Sequence, residues 1–191
     1  MVTSTRDRLA AAAASLLDAG GPDAVTLREV GRLAGVSHNA PYKHFADKTA
    51  LLAEIATRQL QSLARQLERA SRSARSDVEA MQAVAAVYVR WASRHPERFK
   101  LTFSRLGIDD PDLAEAATSA RVAFFRPFAH AEQHGTLLID AERASLLAWT
   151  TAHGAVDLHL NGHLRKDRSR TTPRQLVADL VGLLTAEPST P

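Results

Sequence analysis

Apolar residues recur along this chain at intervals of three and four, the period of one helix face, and no stretch alternates singly as a half-buried strand would. Leu9, Ala13, Leu16 and Leu17 mark such a face on a first helix predicted over residues 6–19, stopped by Gly20, Gly21 and Pro22. Thr26 and Glu29 have the spacing of a capping box, in which hydroxyl and carboxylate each satisfy the other residue's backbone N–H. The second helix then runs to about residue 34 and is expected to bury Leu27, Val30 and Leu33. Gly35 breaks it, Val36 plugs the turn, and Ser37 is placed to cap a third helix reaching residue 44 or 45. A fourth helix starts near Asp47 and Lys48, carries Leu51, Leu52, Ile55 and Leu60, and then turns rich in arginine.

Residues 71–76 are small, polar and basic, a plausible break between domains. A second capping box, Ser76 to Glu79, opens a fifth helix whose Met81, Val84, Tyr88 and Trp91 form an apolar stripe. Pro96 ends that helix and opens a short one holding Phe99 and Phe103. After a loop at 107–110, a long helix is predicted over 111–134, bent by Pro127, which lacks a backbone donor and clashes with the preceding turn. Gly135 ends it, and another long helix spans about 140–163. Residues 165–171 form a basic loop. A third capping box, Thr172 to Gln175 with Pro173 in the first helical position, opens the last helix. That helix carries Leu176, Val177, Leu180, Val181 and Leu184 on one face, and the final residues EPSTP are expected to fray. The pattern predicts an all-α protein of about nine helices. It divides into a small N-terminal domain over residues 1–50, built on a helix-turn-helix, and a larger helical domain over 51–191.

Composition narrows the picture. With 45% hydrophobic residues the chain can bury a core, and with no cysteine it can form neither disulfides nor thiolate metal sites. No run approaches the roughly 18 uncharged apolar residues of a membrane span. The N-terminus, interrupted by Asp18, reads as an amphipathic helix rather than a signal peptide, so a cytoplasmic protein without membrane contact is expected. A net charge of +3 says little about partners. Residues 58–75 hold five arginines against Glu68, and 165–174 hold five basic residues against Asp167, while the first fifty residues are nearly balanced. Nucleic-acid binding must therefore be argued from placed residues. There is no GxSxG, no HExxH and no phosphate loop, so no enzymatic role and no cofactor are expected.

The informative segment is TLREVGRLAGVSHNAPYKHFADKTALL, residues 26–52. Its first helix buries an apolar face. Its second is nearly free of large apolar groups and presents Ser37, His38, Asn39, Tyr42, Lys43 and His44. A helix this short and polar is poorly justified by core burial, and it suits a reading helix laid in the DNA major groove with its N-terminal residues toward base edges. Tyr42, Lys43 and His44 can reach phosphates, and Arg28 adds a charge. Lys48, beside the open backbone N–H groups of the next helix, suits a phosphate grip.

The cap Thr26, the turn Gly35-Val36-Ser37, then Tyr42-Lys43-His44-Phe45, Lys48 and Leu51 resemble the signature of the tetracycline-repressor (TetR) family. The resemblance covers roughly residues 6–55. It implies a homodimeric transcriptional regulator, usually a repressor, whose C-terminal domain binds a small-molecule effector; a symmetric dimer in turn implies a near-palindromic operator in duplex DNA. It assigns phosphate contacts to Thr26, Tyr42, Lys43 and Lys48, and base reading to His38, Asn39 and Ala40. Pro41 departs from the commoner aliphatic residue there. Trp149, His153 and Gly154 further resemble the Trp-His-Gly pattern that names one C-terminal domain of this family.

Trp91, Phe103, Phe124, Phe128 and Trp149 are candidate walls of an apolar effector site. His153 is either its polar anchor or a satisfied core histidine. His130 and His134, like His159 and His163, stand four apart, a spacing that can bring two imidazoles to one metal. Both pairs also lie near helix C-termini, where histidine is favoured anyway, and no metal site is assigned. The competing functions are a metal sensor using those histidines, an enzyme in a helical bundle, and an architectural DNA binder without effector.

Overall fold

The computed structural model describes residues 4–104, 110–165 and 171–186. Among these are nine α-helices: α1 Thr5–Ala24, α2 Leu27–Leu33, α3 Ala40–His44, α4 Lys48–Arg72, α5 Asp77–Arg94, α6 Pro96–Phe103, α7 Pro111–Gln133, α8 Ala141–Leu160 and α9 Pro173–Leu184. One 3-10 turn, His163–Arg165, follows α8. No strand occurs among the described residues, where the single isolated bridge pairs Leu137 with Thr185. The expected all-α architecture holds. The loop at 107–110 lies largely outside the described residues, as do most of the basic loop at 165–171 and the tail EPSTP.

The helix boundaries show how local chemistry was modified by packing. Ser4 caps α1 by accepting from the backbone N–H of Asp7, and the helical path breaks at Gly20 and Gly21 before a last turn beginning at Pro22. Thr26 caps α2 as expected, accepting from the N–H of Glu29 at 3.2 Å. The reciprocal arm is missing, because the Glu29 carboxylate instead takes the Arg32 guanidinium, with Nε 2.9 Å away. Thr172 and Gln175 form the full reciprocal box at the start of α9. Leu33, expected in the core, is 47% exposed, and Gly31 is buried in its stead. The third helix starts at Ala40, and Asn39 rather than Ser37 stands at its N-cap. This later start puts Pro41 in the first turn, where its missing N–H has no intrahelical partner to lose. α8 stops at Leu160, short of the predicted residue 163, with Asn161 at its C-cap and Gly162 next in the left-handed region.

Contacts divide the chain into two compact units: residues 1–61 with 95–117, and residues 62–94 with 118–191. Helix α4 is continuous and contributes residues to both. In the first unit, Leu9, Ala13 and Leu17 of α1 pack with Val25, Leu27 and Val30, with Phe45, and with Leu51, Leu52 and Ile55 of α4. Leu101 of α6 completes this core. Each fully buried aliphatic side chain contributes about 1.5–3 kcal/mol. In the second unit, α5, α8 and α9 pack on one another, burying Met81, Val84 and Trp91 from α5 with Val177 and Val181 from α9.

Ion pairs tie the start of α1 to α4. Half-buried Glu54 accepts from Arg6 and, at 2.6 Å, from Arg58, which also reaches Asp7 at 2.8 Å. Burial works against the charged form of Glu54, but donation from the two guanidiniums outweighs it and holds the carboxyl below its ordinary value of 4.5. We expect Glu54→Gln to lower stability by about 1–2 kcal/mol, the range for loss of a charged hydrogen-bond partner. Because the folded value is depressed, this stabilisation is complete above the unfolded value and lost as pH falls through the folded one. Urea unfolding of wild type and variant as a function of pH checks this: the difference should persist at neutral pH and vanish in acid.

Candidate functional site

Three contacts place α3. Gly35 adopts φ +63°, a left-handed conformation that costs a side-chain-bearing residue about 1–2 kcal/mol, and so reverses the chain after α2. Arg8 of α1 reaches this turn and donates to the carbonyls of Ala34 at 2.6 Å and Gly35 at 3.1 Å. Gly31 then lets α3 press against α2, since a Cβ at position 31 would stand 2.9 Å from Cγ of Pro41. Pro41 and Phe45 are thereby buried, and the Arg6 guanidinium lies 5.0 Å from the Phe45 ring centroid.

Burying this side of α3 leaves the polar side to solvent. Ser37, His38, Asn39, Tyr42, Lys43 and His44 are exposed, and Ala40 is half-buried. His38 and Tyr42 meet edge to face at 6.1 Å. Thr26 and Arg28 are exposed at the start of α2. Lys48 opens α4, half-buried, with Nζ 3.9 Å from Asp23, and Asp47 caps that helix by accepting from the N–H of Ala50 at 2.8 Å. All ten residues singled out for DNA contact therefore lie in the first unit, on α2, the turn, α3 and the head of α4. Two positioning residues escaped the sequence reading. Gly31 had a signal, because glycine inside a seven-residue helix costs about 1 kcal/mol against alanine and so asks for a close approach. Arg8 had none, since its partners are backbone atoms of a distant turn.

The second unit gathers most of the other candidates. Trp91, Phe124 and Phe128 are buried, and the ring of Tyr88 on α5 lies 5.8 Å from both Trp91 of the same helix and Phe124 of α7. Phe124 stacks on Phe128, and Trp149 meets Phe125 edge to face at 6.3 Å. Phe103 belongs to the first unit, meets Phe99 edge to face at 5.3 Å and is 41% exposed.

Tyr88, read from the sequence only as part of an apolar stripe, is the hub of a polar chain. Its hydroxyl lies 2.9 Å from Nδ1 of His153, and the Trp149 side chain also hydrogen-bonds it. An indole can only donate, so the phenol accepts from Trp149 and keeps its own proton to donate to His153. His153 then accepts at Nδ1 as a neutral imidazole, in keeping with burial, which pulls its pKa down against a smaller opposing effect of Asp157. Burial likewise pushes the Tyr88 phenol well up. The Trp149 and His153 pattern on α8 is thus a two-point grip on α5.

The last two long helices show one further surface in this unit. Leu147, Leu158 and Leu183 are exposed, and a Cβ added at Gly154 or Gly182 would meet nothing within 4 Å.

A helix-turn-helix whose polar side is turned outward is a feature of DNA-binding regulators, and comparison with known proteins agrees. Residues 9–55 match the family model of bacterial regulatory proteins of the tetR family, and residues 81–184 match the tetracyclin repressor-like C-terminal domain. Among solved structures, a protein of unknown function from Rhodococcus sp. RHA1 is 32% identical, with a TM-score of 0.83 and 96% of both chains covered. A bacterial regulatory protein in the tetR family from Rhodococcus RHA1 is 24% identical, with a TM-score of 0.67 and 95% of both chains covered. The fatty acid degradation regulator FadR from Bacillus halodurans shares the fold at 14% identity, with a TM-score of 0.71 over 96% of this chain and 95% of its own. No curated protein sequence matches the chain. The chain belongs to the tetR family and is a DNA-binding transcriptional regulator.

Gly31→Ala tests the placement of α3. The added methyl favours α2 by about 1 kcal/mol but overpacks Pro41 by about 1–3 kcal/mol, so net stability should fall by no more than about 2 kcal/mol. Displacing α3 should nonetheless lower specific DNA affinity roughly tenfold, within the 1–3 kcal/mol of one misplaced base contact. Thermal melting and fluorescence anisotropy on the same samples separate the two effects.

Proposed function

We propose that this regulator is a homodimeric, cytoplasmic repressor that leaves its operator when a small, largely apolar effector binds the second unit. The observation that carries the DNA half is the one-sidedness of α3: Pro41 and Phe45 face the core, and every polar side chain of the helix and its preceding turn faces water. In the major groove this presents His38, Asn39 and Ala40 to base edges. Thr26, Tyr42, Lys43 and Lys48 then contact phosphates, with Arg28, Ser37 and His44 at the margins.

The effector half rests on the aromatic set of the second unit. Trp91, Phe124 and Trp149 adjoin Tyr88, which pairs with His153, and Phe128 stacks on Phe124, the mix of apolar wall and few polar groups that ligand sites usually show. α4 supplies a route for coupling, since Lys48 stands at its head and its later turns belong to the second unit. An effector need prefer the DNA-incompetent arrangement by only about 1–3 kcal/mol to loosen DNA 5–150-fold.

Selection from random duplexes is the direct test. We expect a near-palindromic consensus. Lys48→Ala should weaken binding to all sequences and reduce the salt dependence by about one phosphate, whereas substitutions at His38 or Asn39 should change the preferred bases. Absence of any preference would overturn the reading. Repeating the titration with apolar compounds that raise the melting temperature tests the effector: operator DNA must weaken compound binding by the same factor that the compound weakens DNA.

The dimer is assigned to α8 and α9. Exposed Leu147 and Leu158 flank Gly154 on α8, and half-buried Leu176 and Leu180 lead to Leu183 on α9, an apolar surface on which small residues admit a close partner helix. A two-fold axis here would set two reading helices about 34–36 Å apart, one turn of DNA. A Leu180→Asp, Leu183→Asp double variant should run as a monomer in light scattering and lose operator binding while keeping its helical circular dichroism.

A further inference from the structure

Away from the polar surface of α3 and the aromatic set, two helices of the second unit bring three metal-ligating side chains together. Asp77 is the first residue of α5, and His130 and His134 stand one turn apart near the end of α7. Nδ1 of His130 lies 3.0 Å from Oδ1 of Asp77, and Nδ1 of His134 lies 2.8 Å from Oδ2. The two imidazole rings are 4.2 Å apart, and one ligand atom from each residue falls within 4.8 Å of the others. Around a tetrahedral zinc ion with bonds of roughly 2.0–2.1 Å, donor atoms stand about 3.3 Å apart; both carboxylate–imidazole separations are already near this, and the two imidazoles would draw together around the ion.

We propose that Asp77, His130 and His134 form a binding site for a divalent transition metal of the zinc class. The simpler alternative is a carboxylate that merely tethers two histidines. Three observations favour the metal. Both imidazoles are more than half exposed, and exposed ion pairs contribute little, so water competes well for this arrangement without an ion. Both rings offer the same nitrogen to the same carboxylate, and the Thr136 hydroxyl donates to Oδ2 at 3.1 Å, the outer hydrogen bond that orients ligating carboxylates. All four residues line an open pocket of about 950 Å³ between α5 and α7, which leaves room for water in a fourth position. Two imidazoles and one carboxylate suit zinc, cobalt or nickel rather than calcium or magnesium, which take oxygen ligands. Occupancy would link α5 to α7. The other histidine pair of the sequence, His159 and His163, joins no such group among the described residues.

The test uses the full chain, free of any tag and stripped with chelator, titrated with cobalt(II) and then with zinc(II). We expect one equivalent of cobalt with the visible absorption of a four-coordinate site, displaced by zinc, and a zinc-dependent rise in melting temperature. His130→Ala and His134→Ala should each lower affinity at least tenfold, and Thr136→Val about tenfold, the low end for an outer-shell partner. A His159→Ala, His163→Ala variant should bind as wild type does. Should an alanine variant fold poorly by circular dichroism, zinc titration of the wild type followed by the His130 and His134 ring resonances decides instead, and these must shift together and saturate at one equivalent. Substoichiometric binding, a purely six-coordinate cobalt spectrum, or metal binding that survives loss of both His130 and His134 would overturn the proposal.

Discussion

A hydrogen where a methyl group could stand, at Gly31, lets α2 and α3 approach until Pro41 is buried between them, and the arrangement of the first unit follows from that contact. With Pro41 inside, α3 can begin only where a proline is tolerated, in its first turn, which moves the helix start to Ala40. With the start there, Phe45 falls into the core formed by α1 and α4, and the polar residues from Ser37 to His44 have nowhere to go but outward. Gly35 and Arg8 complete the constraint. The left-handed residue turns the chain, and the guanidinium satisfies carbonyls that a tight turn would otherwise leave without a donor. An outward polar surface in this protein is thus a consequence of an inward apolar one.

The second unit meets a different constraint, that of polar groups in an apolar setting. Trp149, Tyr88 and His153 each carry a group that would be costly to bury alone, and they solve the problem by pairing in a chain with one sense of donation. The neutral imidazole at its end is the form that burial favours. Asp77 represents the opposite case, at the open edge of the same unit: burial disfavours its charge, but donation from His130, His134 and Thr136 more than offsets this and holds the carboxyl below the usual carboxylate range. One network is closed and holds α8 to α5; the other is open toward a pocket.

The helices themselves were legible in the sequence because their determinants are local. Spacing of Leu9, Ala13 and Leu17, or of Met81, Val84, Tyr88 and Trp91, identifies a face whatever packs against it, and Thr26 and Thr172 cap helices through bonds that reach only three residues. The readings that failed were those in which a local preference competed with a distant partner. Glu29 could close a capping box or bind Arg32, and it binds Arg32. Ser37 could cap α3, but the fit of Pro41 against Gly31 moved the helix start beyond its reach.

The amino-acid order alone determined that the chain is all-helical, with a polar third helix after a Gly35 turn and a motif over residues 26–52 that resembles the tetR family, because periodicity, caps and motif are properties of neighbouring residues. Only the tertiary structure decided that Arg8 holds that turn, that Tyr88 joins Trp149 to His153, and that Asp77 meets His130 and His134. These partners lie 26, 61, 65 and more than 50 positions apart in the chain, and no local periodicity encodes a distance that is set by how whole helices pack.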